Sequence, residues 1–288
     1  MQPVISLSSI SKRFGHKQAL KNVSLTVTQG EIFGFLGPNG AGKTTTIRCM
    51  MDFIRPDTGK VEILNKTIAN SPDIKQYIGY FAAENQLLEK WDAKQHIEFY
   101  CSMKQADKSA YKFLEELDLD DSIPVRHMST GNRQKLGFIL ALIGNPRLLI
   151  LDEPTRGLDP LLQNEVYKIL KDYVATGGTV FISSHNLNEA EYLCSNVAVI
   201  REGRIVADKS LADIHNLKTY IISVTFKKAG FKIPKANNIQ IVSEDGQSLV
   251  IKLQGNVAPL LKELSQNELI DIEVTHASLE DVFMEFYK

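Results

Sequence analysis

Val23, Leu25 and Val27 alternate with Ser24, Thr26 and Thr28, the two-residue period of a strand with one buried face. The alternation ends at Gln29-Gly30 and restarts over residues 31–36, which predicts two strands joined by a turn. A glycine-rich stretch comes next. Residues 43–53 then have a helical composition that stops near Pro56 and the Asp57-Thr58-Gly59 turn. Strand, glycine loop and helix thus follow in that order.

From about residue 86 to residue 145 the texture changes. Residues 92–103, 109–117 and 133–143 all read as helices, and strand signals nearly vanish. This predicts a helical subdomain inserted at 86–145. Strand character returns over 147–151, followed by a helix at 161–174, the Gly177-Gly178 break, a strand at 179–183, a short helix at 187–193 and a strand at 197–200. Strands alternating with helices at this spacing imply right-handed crossovers and a largely parallel sheet, an α/β fold. Near Ser210 the pattern shifts again. Strands over 220–226, 239–242 and 249–253, with Asp245-Gly246 as a hairpin dipeptide, precede a helix over 259–269 and a strand over 272–275. Ser278-Leu-Glu-Asp281 reads as a capping box opening a last helix. The expected division is therefore residues 1–210, and residues 211–288 as a small α+β domain.

Composition and charge narrow the function. The chain has 288 residues, 43% hydrophobic and 23% charged, ordinary for a compact globular protein. Its 33 basic and 34 acidic residues leave a net charge of -1, without the positive field of a nucleic-acid binder. Splitting the chain after Ser210 uncovers no hidden basic tail. Cys49, Cys101 and Cys194 are odd in number and far apart, which fits reduced packing thiols rather than disulfides or a metal cluster. No secretory signal is visible at the N-terminus, and no run approaches the roughly 20 apolar residues that span a bilayer.

Gly37-Pro-Asn-Gly-Ala-Gly-Lys-Thr-Thr45 satisfies G-x-x-x-x-G-K-[ST] between a predicted strand and a predicted helix, the context of a phosphate-binding loop. Glycines allow successive backbone N–H groups to converge on phosphate oxygens, and the helix N-terminus adds a favourable dipole. Lys43 supplies a charge for the β and γ phosphates, and Thr44 a hydroxyl for Mg²⁺. A ligand-free glycine turn is the bland alternative. Leu148-Leu-Ile-Leu-Asp-Glu-Pro154 ends a buried-strand run in two carboxylates at the strand's C-terminal end, where ligands of open α/β sheets bind. Asp152 is placed to hold Mg²⁺, and Glu153 to orient or deprotonate the water that attacks the γ-phosphate. Solvated acids at a strand end would be the purely structural reading.

Met128-Ser-Thr-Gly-Asn-Arg-Gln134 lies upstream, and Gly157-Leu-Asp-Pro160 and Ser183-Ser-His185 lie downstream. With these motifs in this order, residues 4–209 resemble the nucleotide-binding subunit of ATP-binding cassette (ABC) transporters. The resemblance implies a P-loop NTPase fold, with a mostly parallel sheet, an antiparallel β subdomain and a helical subdomain. It implies ATP contacts at Phe14, Gly37, Pro38, Asn39, Gly40, Ala41, Gly42, Lys43, Thr44 and Thr45, with Phe14 stacking on adenine. Thr44 and Asp152 would hold Mg²⁺, and Glu153, His185 and Lys43 would be catalytic. Ser129 and Gly131, on a signature motif that looks like LSGGQ, and Asp159 would act across a dimer interface on the opposite subunit's nucleotide.

The sequence departs from the family at Ala83, where a Gln or Glu is usual, with Glu84 or Gln86 as substitutes. Thr130 replaces a signature glycine and Asn132 the terminal Gln, and a β-branched residue at position 130 would be strained if φ were positive. Signature variants of this kind, and the ending Ala277-Ser-Leu-Glu-Asp-Val-Phe283, resemble bacterial drug, peptide-antibiotic and immunity exporters. A cytoplasmic subunit peripheral to the membrane is implied, working on a separate permease in a homodimer, with a heterodimer as the alternative. Residues 86–145 would be the docking surface. Trp91, Phe99 and Tyr100 lie there and read as core rather than cleft. Two other classes stand beside this one: a soluble cassette ATPase acting on DNA or ribosomes, and a regulatory module without useful turnover. The near-zero charge counts against the first.

Overall fold

The computed structural model describes residues 2–83, 86–216, 219–228 and 238–276. They fall into two compact units, Met1–Asp208 and Lys209–Lys288.

The first unit opens with β1 (Pro3–Phe14), β2 (Lys17–Thr28), β3 (Ile32–Leu36) and α1 (Lys43–Met50), then β4 (Thr58–Ile63), β5 (Lys66–Thr67) and β6 (Ile78–Phe81). Three helices follow, α2 (Ala93–Lys104), α3 (Lys112–Glu116) and α4 (Thr130–Leu142). The chain then alternates through β7 (Leu148–Asp152), α5 (Pro160–Ala175), β8 (Thr179–Ser184), α6 (Leu187–Leu193), β9 (Asn196–Arg201) and β10 (Arg204–Ser210). One sheet has the order β2-β1-β4-β5, and β1 runs antiparallel to both β2 and β4. The other has the order β10-β9-β3-β8-β7-β6, and β9-β3-β8-β7-β6 are parallel neighbours.

The sequence expectation of two strands joined at Gln29-Gly30 holds, but the strands do not pair. β2 joins the antiparallel sheet, where its alternation buries Val23, Leu25 and Val27. β3 enters the parallel sheet and is buried at every position, as are β7 and β8. Near-continuous apolar strands are what a parallel sheet covered on both faces requires. One core fills the space between the two sheets around α1, and a second packs α2, α4 and α5 against the parallel sheet. In α2 the buried face is Ala93, His96, Ile97 and Cys101, a helical period that leaves Phe99 outside. Phe99 is 45% exposed, which corrects its expected place in the core. Trp91 is half-buried, with its ring 5.5 Å from that of Phe99. The stretch 109–117 divides into a 3₁₀ turn, Ser109–Tyr111, and the short α3.

The second unit holds α7 (Leu211–Asn216), β11 (Thr219–Phe226), β12 (Ile239–Asp245), β13 (Ser248–Gln254), α8 (Ala258–Leu264) and β14 (Leu269–His276). Its antiparallel sheet has the order β12-β13-β11-β14, with the Asp245-Gly246 hairpin closing between Asp245 and Ser248. Ile222, Val224, Phe226, Leu249, Ile251 and Leu253 form its core with Leu260 and Leu264 of α8. The helix expected to reach residue 269 ends at Leu264. Ser265 Oγ donates to the Lys262 carbonyl at 2.8 Å and Asn267 Nδ2 to that of Leu264 at 3.3 Å. Such local side-chain bonds compete with continuation of the helix. The capping box at Ser278 and the exporter-like ending from Ala277 lie outside the described residues.

Candidate active site

The glycine loop leaves β3 and turns into α1 between close neighbours. A Cβ on Gly37 would lie 2.4 Å from the Ile200 carbonyl oxygen, so β9 passes too near for any side chain. Gly42, which caps α1, has φ +118° and would place a Cβ 3.0 Å from the Ala19 oxygen. Between them Ala41 is buried, and its N–H donates to the Pro38 carbonyl at 3.2 Å. α1 has no side-chain cap and no acidic residue in its first turn, which leaves its N-terminal N–H groups and dipole directed at the loop.

Lys43 is buried, and its ammonium donates to the Gly37 and Pro38 carbonyls at 2.6 and 3.3 Å. It also lies 3.1 Å from Glu153 Oε1. The Thr44 hydroxyl donates to Asp152 Oδ2 at 2.8 Å, and Ser183 Oγ donates to the other carboxylate oxygen, Oδ1. Glu153 follows the end of β7 with φ +51°, a left-handed backbone without glycine. Conformations of that kind persist where the surroundings over-determine them, and they gather at functional sites. Its N–H donates to the Ser183 carbonyl at 3.1 Å, and Arg156 N–H returns to its carbonyl at 3.2 Å. Glu153 Oε2 is buried without a hydrogen bond. Its polar neighbours are cation-capable, with His185 Nδ1 at 3.2 Å and Arg156 Nη1 at 3.9 Å.

Of these residues Gly42, Lys43, Thr44, Glu153 and Arg156 line a cleft of about 270 Å³, together with Phe14, Asn39, Gly40, Thr45 and Ala83, whereas Gly37, Pro38, Ala41, Asp152 and His185 are not among its lining residues. Phe14, at the end of β1, is 49% exposed, with Lys12 Nζ 5.8 Å from the centre of its ring. Ser129, Gly131 and Asp159 do not line it. Ser129 caps α4 by accepting from Asn132 N–H at 3.1 Å. Asp159 caps α5 by accepting from the Leu161 and Leu162 N–H groups at 3.1 and 3.0 Å. Thr130 sits in the first turn of α4 and is not among the positive-φ residues, so replacing the signature glycine there costs no backbone strain. Glu84 lies outside the described residues. Gln86 lines a different cavity of about 420 Å³, together with Arg48, Phe53, Tyr80 and Tyr100.

Sequence reasoning named Ser183 and Ser184 only as part of the motif ending in His185 and missed the hydrogen bonds they give to Asp152 and Glu189. Two hydroxyls closing a buried strand are the signal that could have found those bonds. Glu189 is buried behind the two serines and had no such signal, being one of two acids on a short helix. Arg156 likewise emerges only from its place beside Glu153.

Among known proteins, the ABC transporter family profile matches residues 20–156. The uncharacterized ABC transporter ATP-binding protein YcbN of Bacillus subtilis (strain 168) is 33% identical, over 99% of this chain and 97% of its own length. The chain belongs to the ABC transporter ATP-binding family. Two further relatives carry more specific names. The daunorubicin resistance ATP-binding protein DrrA2 of Streptomyces coeruleorubidus is 31% identical, over 97% of this chain and 94% of its own. The Nod factor export ATP-binding protein I of Ralstonia nicotianae is 28% identical, over 98% and 93%. A solved ATP-binding subunit of an ABC transporter superposes with a TM-score of 0.69 at 27% identity, covering 74% of this chain and 92% of that one. The fold is thus that of an ABC ATPase. The protein is an ATPase subunit that powers transport. Among the described residues no helix is long and apolar enough to cross a membrane.

Proposed function

We propose that two copies of this subunit close on two ATP molecules and drive export through a separate membrane permease, from the cytoplasmic face. One observation carries the chemistry. Lys43 and His185 approach the two oxygens of a single buried carboxylate, Glu153, at 3.1 and 3.2 Å. A phosphate-binding lysine, a general base and a titratable imidazole so grouped suit in-line attack of water on a γ-phosphate, where catalysis is positioning and charge stabilisation. Lys43 binds the β and γ phosphates, Phe14 stacks on adenine, Glu153 orients and deprotonates the water, and His185 contacts the γ-phosphate.

The hydroxyl of Thr44 and the carboxylate of Asp152 are hard oxygen donors 2.8 Å apart, a set that suits Mg²⁺ completed by phosphate oxygens and water. Among the described residues no cluster of three or more His, Cys, Asp or Glu side chains competes for it. When bound, the ion neutralises charge on the phosphates.

Ser129, Gly131 and Asp159 act in trans. A Cβ on Gly131 would find only Ser129 Oγ, 3.9 Å away. Nothing among the described residues demands glycine there, which supports a close approach from outside. Residues 1–210 carry the ATP chemistry, the helical stretch 86–145 meets the permease, and residues 211–288 form a separate domain. The 420 Å³ cavity beside Gln86 and Tyr100 is the candidate seat for the permease. Export rests on the relatives named for drug resistance and Nod factor export. ATPase activity measured with and without membranes holding the candidate permease tests the proposal, which requires stimulation by those membranes. Turnover indifferent to them would favour a soluble ATPase, and binding without turnover a regulatory module.

A further inference from the structure

Behind the cleft, Glu189 on α6 is buried at 4% exposure. Its Oε1 accepts the Thr155 hydroxyl at 2.6 Å, and its Oε2 accepts that of Ser184. Both hydroxyl residues are themselves buried. The Tyr167 phenol of α5 faces the same carboxyl. Burial first, and then the Glu189 charge and hydrogen bond, push the Tyr167 pKa well above the ordinary phenol value.

The two donors belong to two different functional segments. Thr155 stands two residues beyond Glu153, at the start of the turn that leads to Asp159, and its carbonyl accepts Leu158 N–H at 3.1 Å in that turn. Ser184 immediately precedes His185, and its carbonyl accepts the N–H of Gly37, the first residue of the phosphate loop, at 3.3 Å. Asn186 N–H donates back to Ser184 Oγ at 2.9 Å. One carboxylate therefore bridges the turn bearing Glu153 and the strand end bearing His185. Burying a carboxyl group is costly unless its oxygens are hydrogen-bonded, and apolar side chains of similar volume often stabilise a core as well or better. Packing alone gives little reason for an acid here, whereas fixing two catalytic segments to a common point gives a specific one.

We propose that Glu189 is a positioning residue for ATP hydrolysis, holding Glu153 and His185 in register through Thr155 and Ser184. The proposal rests on the roles assigned above to Glu153 and His185. Misplacement of a catalytic group by about 1 Å can cost on the order of a hundredfold in rate. Glu189→Gln in the full chain keeps the volume but turns one acceptor into a donor. It is expected to lower kcat by about a hundredfold and leave KM and Mg-ATP affinity within about threefold of the parent.

Because residues acting as one unit are non-additive, Glu189→Gln combined with His185→Ala should be scarcely slower than His185→Ala alone. Thr155→Val deletes one of the two hydroxyls with little change of shape. It should lower kcat by about tenfold, and it keeps the test open if the Glu189 variant fails to fold. A Glu189→Gln rate within about threefold of the parent, rate losses that multiply in the double variant, or a normal rate in Thr155→Val would each overturn the proposal. If Glu153→Gln and His185→Ala themselves turn over normally, the failure lies instead in the site assignment, and this inference falls with it.

Discussion

Lys43 Nζ lies 3.1 Å from Glu153 Oε1, and both side chains are buried. A base in that position also faces the place where the lysine meets phosphate. Glu153→Gln keeps the shape and removes the proton acceptor, so turnover should fall by a factor of about 10²–10⁴, the range for loss of a general base. ATP binding should persist, and the variant should accumulate as a dimer in Mg-ATP on size-exclusion chromatography. Retained phosphate release would remove Glu153 from the mechanism.

The φ of +51° at Glu153 leads to a stability prediction independent of catalysis. A left-handed backbone costs a residue with a Cβ about 1–2 kcal/mol, and glycine escapes that cost. Glu153→Gly and Glu153→Ala remove the same carboxylate, yet the glycine variant should be the more stable by about 1 kcal/mol. Urea titration of the pair reads the difference. An ordinary position would give the opposite order, because glycine gains more freedom on unfolding.

Lys43→Ala should weaken ATP binding by about ten- to a hundredfold, as expected for losing hydrogen bonds from a charged donor. The variant also strips a buried carboxylate of its nearest cation, which is destabilising. Calorimetric titration with ATP checks the first effect and thermal unfolding the second. Unchanged affinity would contradict the loop assignment.

Much of this site was readable because its elements are local in sequence. The phosphate loop, the Asp152-Glu153 strand end and Ser183-Ser-His185 are each contiguous, and β7 and β8 announce themselves as buried apolar runs. β1 was not recognised, for a physical reason. Its register shifts between Leu7 and Ile10, with Ser9 at φ +50°, and a bulge of this kind destroys the two-residue period. Asp57-Thr58-Gly59 looked like a plain turn, yet Thr58 and Gly59 begin β4. A Cβ on Gly59 would lie 2.5 Å from the Ser8 and Ser9 oxygens, so that glycine answers to the bulge across the sheet. Glu189 could not be found because its partners, Thr155 and Ser184, reach it only through the fold.

Cys49 shows how burial sets reactivity. Its thiol is raised from 9.0 to about 11, first by burial, against a smaller lowering by Lys12 and a further rise from Asp57. A raised folded-state value means that the stability this group contributes is present below the unfolded value and is lost as pH climbs from about 9 to about 11. Cys49 should therefore resist alkylation at pH 8 while the protein is folded. Peptide mass spectrometry after iodoacetamide treatment, with and without urea, measures this. Rapid labelling of folded protein at pH 8 would show that the thiol is more open than its packing against Ile47, Met50 and the strands of that core allows.

Gly79 of β6 packs directly against α4 of the helical segment. A Cβ there would lie 2.1 Å from the Ala141 carbonyl oxygen of α4 and 2.5 Å from a Leu149 methyl on β7. The first obstacle is backbone and cannot rotate away, so α4 itself would have to retreat from the sheet. Overpacking of this kind costs about 1–3 kcal/mol. Gly79→Ala should lower the urea midpoint accordingly with the slope unchanged, since the surface exposed on unfolding is the same. Ser129 caps α4, which carries Gly131, so its retreat would also move the residues proposed to act on the partner's nucleotide. Trapping of the Glu153→Gln dimer should then weaken in the Gly79→Ala background while ATP binding to the single subunit stays intact. A stable Gly79→Ala protein with undiminished dimer trapping would show that α4 can shift without disturbing the signature.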